Sequence, residues 1–311
     1  KATNLNSINS QFSILHKERI ATQCICCGSA SLKSSPAILM PFVAHRTFGW
    51  TPFEINESHG LQTIPNGMVY SICNSLFCCN CKLLFLDIRF SETELANLYN
   101  NYRGDEYVTL RNYYEPGYTQ RNKLLNSSER LIDKIEFFLA PLISFPLTTL
   151  DWGGGSGKNT PFQNQENDID IYDIDDNPVI GHAKHINKQT AFSKRYDLVV
   201  CSHVLEHIPY PLDTILEIKN TMDESSTLYI EVPYEDIVQF EQPDIHIKKN
   251  HWHEHINFFS PDSLRKLLEN CGLSIIKMEM TNLDPNAKSR AWVFQIACRL
   301  KVNDAHTKSV Q

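Results

Sequence analysis

Apolar and polar positions alternate along the second half of the chain with two distinct periods. An apolar run ending at Leu150, the alternating segment Asp168 to Asp173, the run Tyr196 to Ser202 and the run Thr227 to Tyr234 carry the short, β-branched and aromatic patterns of strands. Between and after them the period changes. Leu212, Ile215 and Leu216 stand at i, i+3 and i+4 within Pro211 to Met222, and Leu264, Leu267, Leu268 and Cys271 share one face of a second helix. Ser260 and Pro261 open that helix and Gly272 closes it. Two further strands are predicted over Ser274 to Met280 and Ala291 to Arg299.

Further upstream, Ser91-Glu92-Thr93-Glu94 forms a capping box ahead of Leu95, Leu98, Tyr99 and Tyr102 at i, i+3, i+4 and i+7. Tyr107, Tyr113, Tyr114 and Tyr118 follow, with Arg103 and Arg111 among them, as an aromatic approach that serves as packing between domains or as a substrate lid. Thr119 to Ala140, with Leu131, Ile135, Phe138 and Leu139 in register, predicts another helix.

Composition narrows the functional classes. With 311 residues, 42% hydrophobic and 10% aromatic, the chain has room for one large and one small globular domain. A formal charge of -7 argues against broad nucleic-acid binding, which needs a basic surface. No run of 18 apolar residues appears, and Lys1-Ala2-Thr3-Asn4 lacks a signal-peptide core, so a cytoplasmic protein without a membrane span is expected.

The strand ending at Leu150 runs into Asp151-Trp152-Gly153-Gly154-Gly155-Ser156-Gly157-Lys158, a glycine-rich turn. Glycine suits a tight strand-to-helix turn and lets the main chain approach a ligand closely. The dinucleotide fingerprint would place glycine five residues beyond Gly153 or Gly155, where Lys158 and Thr160 stand, so NAD is disfavoured. A P-loop needs four residues before its Gly-Lys and a hydroxyl residue after it. Here three residues separate Gly153 from Gly157, and Asn159 follows Lys158, so ATP is disfavoured as well. The remaining pattern, Asp151, Gly153, Gly155 and Gly157, resembles motif I of the class I S-adenosylmethionine-dependent methyltransferases.

Asp173 lies 16 residues beyond Gly157, near the ~20-residue offset at which a βαβ unit offers a carboxylate to a ribose; Asp175 and Asp176 compete for that role. Ser202-His203-Val204-Leu205-Glu206-His207 resembles the end of the family's fourth strand and the Val-Leu-Glu-His segment after it. The resemblance implies an α/β fold with a Rossmann-like seven-stranded sheet, and a donor site formed by Asp151, Gly153, Gly155, Gly157, Asp173, Ser202 and His203. Asp223-Glu224-Ser225-Ser226 stands where family members commonly carry a glycine pair, and Ser and Asp are good turn residues.

Ten cysteines without a secretory signal point to metal binding rather than disulfides. Cys24-x-x-Cys27 and Cys78-x-x-Cys81 make two knuckles that can close a tetrahedral Zn²⁺ site, with Cys26, Cys73 and Cys79 as rival ligands. Four thiolates leave no position for water, so such a site is structural. The two knuckles resemble the zinc module that precedes the catalytic domain in several bacterial methyltransferase families, sugar C-methyltransferases among them; Lys82 stands where glycine is common.

His251-Trp252-His253-Glu254-His255 sets three histidines at alternating positions, which in an extended strand would share a face and could offer metal ligands. The run also resembles the Tyr-His-Glu-His segment of sugar C-methyltransferases, with Trp252 in place of the tyrosine. Methyl transfer from a sulfonium requires an aligned nucleophile and, for an acceptor of high pKa, a base. His207, Glu254 and His255 are the candidates for the catalytic role, each with a structural hydrogen-bonding role as the alternative.

These readings divide the chain into a zinc-binding module at 1–90, a helical linker or lid at 91–145 and a methyltransferase domain at 146–311. The expected activity is methylation, on oxygen or carbon, of a small polar acceptor, a sugar or nucleotide-sugar of carbohydrate biosynthesis. An RNA or protein methyltransferase and a non-catalytic S-adenosylmethionine-binding module are the alternatives.

Overall fold

The structure, a computed structural model, describes residues 18–60, 67–127, 132–163, 167–175, 178–239, 244–283 and 292–301. Lys1-Ala2-Thr3-Asn4, Leu131, Asp176 and Ala291 lie outside the described residues. The strands, in chain order, are β1 Leu32–Leu39, β2 Phe53–Ile55, β3 Gly67–Val69, β4 Ile72–Cys78, β5 Leu84–Leu86, β6 Thr148–Trp152 and β7 Asp168–Tyr172. They continue with β8 Lys184–His185, β9 Leu198–Ser202, β10 Thr227–Pro233, β11 His251–Trp252, β12 Asn257–Phe258, β13 Leu273–Asn282 and β14 Trp292–Leu300.

The chain forms two compact units, and both are discontinuous in sequence. One comprises residues 1–129, 206–210 and 235–260; the other comprises residues 130–205, 211–234 and 261–311.

The second unit holds a seven-stranded sheet in the order β13-β14-β10-β9-β6-β7-β8. The five strands from β10 to β8 run parallel, and β14 and β13 add as antiparallel partners at the β10 edge. This is the seven-stranded, Rossmann-like α/β arrangement expected from the sequence. Its parallel strands are near-continuous apolar runs, as strands covered on both faces must be; Leu198, Val199, Val200 and Cys201 of β9 are all buried. On one side of the sheet the helix Ile132–Leu139 sets Ile135, Phe138 and Leu139 into a core with Leu147, Leu198, Val200 and Tyr229. Each such side chain contributes about 1.5–3 kcal/mol through removal of apolar area from water.

The predicted Thr119–Ala140 helix is present as Tyr118–Ser127 and Ile132–Leu139, with residues 128–131 outside the described set. The glycine-free turn before β10 closes through side chains. Asp223 Oδ1 accepts from the Ser225 and Ser226 amides at 2.8 and 3.1 Å, and Ser226 Oγ donates to the Tyr196 carbonyl at 2.6 Å.

The first unit is built on a five-stranded sheet, β11-β1-β4-β5-β12, with β2 and β3 as a separate two-stranded pair. The capping box forms as its sequence predicts: Ser91 Oγ accepts from the Glu94 amide and Glu94 accepts from the Ser91 amide, opening the helix Glu92–Tyr99. The segment 206–210 is held against β12 and its approach. The Ile256 and Asn257 amides donate to the Glu206 carbonyl, and the fully buried Arg89 donates to the Pro209 carbonyl and to Asn257 Oδ1. That docking sets His207 beside His255, with ring centroids 4.7 Å apart.

Among the described residues no helix is long and apolar enough to cross a membrane.

Candidate active site

In the second unit the strand order reverses between β6 and β9, which makes the carboxyl ends of these strands a topological switch point, where open α/β sheets bind ligands. The glycine turn leaves β6 at this point. Gly153, Gly155 and Gly157 all have positive φ, at 80°, 56° and 78°. A Cβ on Gly153 would stand 2.5 Å from Val204 Cγ2, and one on Gly157 would stand 2.4 Å from Ile171 Cδ1, so these two are excluded from larger residues by packing as well as by backbone angle. A Cβ on Gly155 would meet nothing nearer than Asp173 Oδ2 at 4.0 Å; that backbone is open to approach.

Asp173, at the end of β7, accepts the Gly155 amide at 2.7 Å and the Asp175 amide at 3.0 Å. Asp151 is buried beneath the turn. Its Oδ2 accepts from Thr160 Oγ1 at 2.5 Å, and a Cβ on Gly154 would stand 2.5 Å from its carboxyl carbon, which explains the extra glycine of the run.

At the ends of β9 and β10, His203 adopts a left-handed conformation with φ 55°. Its amide donates to the Glu231 carbonyl at 2.8 Å, and its Nε2 lies 3.0 Å from Glu231 Oε1. Ser202 Oγ donates to the same carboxylate at 3.4 Å, and Tyr229 Oη donates to its other oxygen at 2.5 Å. Glu231 is fully buried and orients both residues assigned from sequence at this strand end.

One expected feature differs. The glycine turn leads into successive turns over 154–163 instead of a regular helix. Gly157, Asn159 and Pro161 account for this, since glycine and asparagine disfavour helix and proline restrains the residue before it.

The first unit gathers the acceptor-side candidates. Arg111 and Glu254 form a buried ion pair at 2.6 Å, with side chains 7% and 11% exposed. Tyr107, also buried, donates to the other oxygen of Glu254, and Arg111 donates to the Tyr107 oxygen at 2.9 Å. Burial works to raise the Glu254 pKa, but Arg111 beside it, with the Tyr107 hydrogen bond, holds it below the usual carboxylate value. Around this pair Tyr99, Tyr102, Tyr107 and Tyr118 form a chain of rings with centroids 5.2–6.3 Å apart, and the Arg111 guanidinium lies 4.3 Å from the Tyr118 centroid. Tyr113, by contrast, is 76% exposed.

His207 Nδ1 stands 2.7 Å from the Tyr99 hydroxyl and 3.1 Å from the Glu254 carbonyl. Burial lowers the His207 pKa. His255 Nδ1 stands 2.7 Å from Glu235 Oε1; burial opposes the charge on His255, and that hydrogen bond together with the nearby carboxylates of Glu206, Glu235 and Glu254 outweighs it to raise the pKa.

The three histidines of the run do not share one strand face. β11 ends at Trp252, whose buried indole N–H donates to Ser75 Oγ at 2.7 Å, and the backbone bends beyond it. His251 and His253 form one ring pair with centroids 5.7 Å apart, and His253 lies 3.5 Å from Glu115, whereas His255 turns to His207 and Glu235.

The two cysteine knuckles also meet in this unit. Cys24, Cys27, Cys78 and Cys81 have all four sulfurs within 4.8 Å of one another, with Cys24 to Cys81 at 3.4 Å and Cys27 to Cys78 at 3.6 Å. None of the ten cysteines is disulfide-bonded, and the rivals Cys26, Cys73 and Cys79 fall outside this group. The knuckles repeat one geometry. Gly28 and Lys82 donate to the carbonyls of Cys24 and Cys78, and both have positive φ, at 71° and 64°. Lys82 Nζ donates to the Cys79 carbonyl at 2.7 Å, a contact unavailable to the glycine common there.

Comparison with known families decides the class. The sequence model of a family described as a methyltransferase domain matches residues 122–278, just over half of the chain. The chain belongs to this family. The methyltransferase is similar to several solved structures at low identity. One is a 1,6-didemethyltoxoflavin N1-methyltransferase from Burkholderia thailandensis, at 16% identity over 63% of this chain and 90% of that one, with a TM-score of 0.45. A methyltransferase from Anabaena variabilis matches at 11% identity over 58% and 91% of the two chains, TM-score 0.42. One from Methanosarcina mazei matches at 15% over 53% and 97%, TM-score 0.39. No curated protein matches the sequence.

Glu231 in the second unit, and Glu235, Glu115 and Arg89 in the first, are missed by sequence reasoning. Glu231 leaves a trace as an acid inside the otherwise apolar run Leu228 to Val232, and Glu115 as the i+4 partner of Arg111; Glu235 and Arg89 carry no local signal.

Proposed function

We propose that this methyltransferase takes its methyl group from S-adenosylmethionine bound at the Gly153–Gly157 turn and delivers it to a small polar acceptor, a sugar or nucleotide-sugar. The observation that carries the donor assignment is the carboxylate of Asp173 beside the open backbone of Gly155, at the switch point of the sheet. A carboxylate there suits the two ribose hydroxyls of the donor, and S-adenosylmethionine has no phosphate that would need a helix N-terminus. Ser202 and His203, oriented by Glu231, are the remaining donor-side residues, and Asp151 supports the turn from below.

The reading on the acceptor side rests on the polar cluster of the first unit. His207, Glu254 and His255, with Tyr99, Tyr107 and Arg111, supply the donors and acceptors that a polyhydroxylated molecule requires, and His207, Glu254 and His255 are assigned to holding it and removing its proton. The protein supplies alignment of the nucleophile with the methyl carbon and the leaving sulfur; the sulfonium supplies the leaving group. Zn²⁺ on Cys24, Cys27, Cys78 and Cys81 is assigned a structural part. Tetrahedral Zn–S bonds of ~2.3 Å set sulfurs roughly 3.8 Å apart, close to the separations seen, whereas a disulfide would need ~2.05 Å.

The test is turnover with S-adenosylmethionine against a panel of nucleotide-sugars, RNA and peptides, read as S-adenosylhomocysteine formed. Acceptor-dependent turnover is expected with nucleotide-sugars, falling by ~10²-fold or more in His207→Ala. Turnover confined to RNA or peptide would overturn the acceptor assignment.

A further inference from the structure

The fold brings a second set of potential metal ligands together that the sequence keeps apart: Glu206 and His207 from the segment after β9, and His255 from the bend after β11. Their donor atoms lie within 4.8 Å of one another, and His207 Nε2 is 3.9 Å from Glu206 Oε1. Two donor atoms bound to one ion at ~2.1 Å each can stand up to about 4.2 Å apart, so small side-chain rotations complete the set.

The surroundings have the form found behind metal-bound imidazoles, whose second ring nitrogen donates to a carbonyl or carboxylate that fixes the tautomer and the ring plane. His207 Nδ1 is engaged by the Glu254 carbonyl at 3.1 Å and the Tyr99 hydroxyl at 2.7 Å, and His255 Nδ1 by the Glu235 carboxylate at 2.7 Å. With Nδ1 so held in both rings, Nε2 is the nitrogen each can offer. The rings stand edge to face, 79° apart, and the Glu206 side chain is 1% exposed. A buried carboxylate beside two oriented imidazoles is the two-histidine, one-carboxylate donor set that holds divalent transition metals and leaves coordination positions open.

We propose that Glu206, His207 and His255 bind one divalent transition-metal cation, separate from the thiolate site, with Glu235 and the Glu254 carbonyl as the groups that orient its imidazoles. The binding site stands on this geometry alone. Its use rests on the acceptor reading above, with the cation in place of His207 and His255 as the group that promotes proton loss: an acceptor hydroxyl coordinated at an open position would lose its proton more readily, since a bound cation lowers the pKa of a coordinated oxygen.

The experiment titrates zinc-loaded full-length protein with Co²⁺, without methyl donor or acceptor, so its outcome is independent of the methyltransferase reaction. One Co²⁺ per chain is expected to bind beyond the zinc, without thiolate charge-transfer absorption, and with two solvent-exchangeable, paramagnetically shifted imidazole N–H proton signals. His207→Ala, His255→Ala and Glu206→Gln should abolish that binding. Glu235→Gln, a conservative change at an orienting residue, should weaken it ~10–100-fold while the protein stays folded by circular dichroism. No Co²⁺ binding by the folded zinc-loaded protein at millimolar concentration would overturn the proposal. So would binding of unchanged affinity in any folded ligand variant.

Discussion

Removal of zinc by a strong chelator is expected to unfold the cysteine-bearing part of the first unit while leaving the seven-stranded sheet folded. The Cys24 knuckle belongs to a stretch, residues 18–31, with little regular structure, tied to the rest of the unit by the isolated Ile20–Ile88 bridge, by scattered hydrogen bonds such as Tyr210 to the Glu18 carbonyl and the Cys79 amide to the Ser31 carbonyl, and by the Arg19–Glu94 ion pair. The Cys78 knuckle closes the β4–β5 hairpin. Structural zinc in small domains supplies about 10–16 kcal/mol of apparent binding free energy, and that energy is folding energy. The exposed Arg19–Glu94 pair, at ~0–1 kcal/mol, does not replace it. Hydrogen exchange should show protection lost over residues 18–31 and 72–86 in the chelated protein, with β6, β9 and β10 retained. Metal analysis should find one zinc per chain in wild type, well under one in Cys78→Ser, and one again in Cys26→Ser and Cys79→Ser. Full zinc in Cys78→Ser would refute the ligand set.

Arg111→Ala should destabilise the first unit by about 3–5 kcal/mol, the cost of leaving a buried charge without its partner. Glu254 sits between Arg111 and Tyr107 with little access to water, so the loss is uncompensated. The aromatic rings stacked on the guanidinium, Tyr118 and Phe42, lose their contact as well. Removing both charges is predicted to cost less than the sum of the single changes, because Arg111→Met with Glu254→Gln leaves no buried unpaired ion. Urea unfolding followed by circular dichroism measures each variant. A loss under ~1 kcal/mol in Arg111→Ala would mean that water reaches Glu254 and that the pair is not the pillar described.

Much of the fold is legible in the sequence because it is encoded locally. Period-two and apolar runs mark β6, β7, β9 and β10, the capping box marks the helix at Glu92–Tyr99, and the glycine turn declares itself where a side chain would strike Val204 or Ile171. The cysteine knuckles are legible for the same reason: each is a four-residue turn. What escapes is whatever depends on long-range docking. The alternating histidines suggest a single strand face, but the buried Trp252 ends β11, and hydrogen bonds from Ile256 and Asn257 to Glu206 draw His255 to His207, 48 positions earlier. Glu235 and Glu231 orient His255 and His203 through tertiary contacts that no local period announces, whereas the Arg111–Glu115 pair stands at the i,i+4 spacing of one helix. The regular helix expected after the glycine turn fails for a local reason, the Asn159 and Pro161 that follow Gly157.

The central claim is that the glycine turn and Asp173 hold the methyl donor, and calorimetric titration with S-adenosylmethionine and S-adenosylhomocysteine tests it most directly. Wild-type protein should bind each at one site per chain. Asp173→Ala, which removes a charged hydrogen-bonding group worth about 1.5–3 kcal/mol, should bind roughly 10–150-fold more weakly with the fold intact. Failure of folded wild-type protein to bind either ligand would contradict the account.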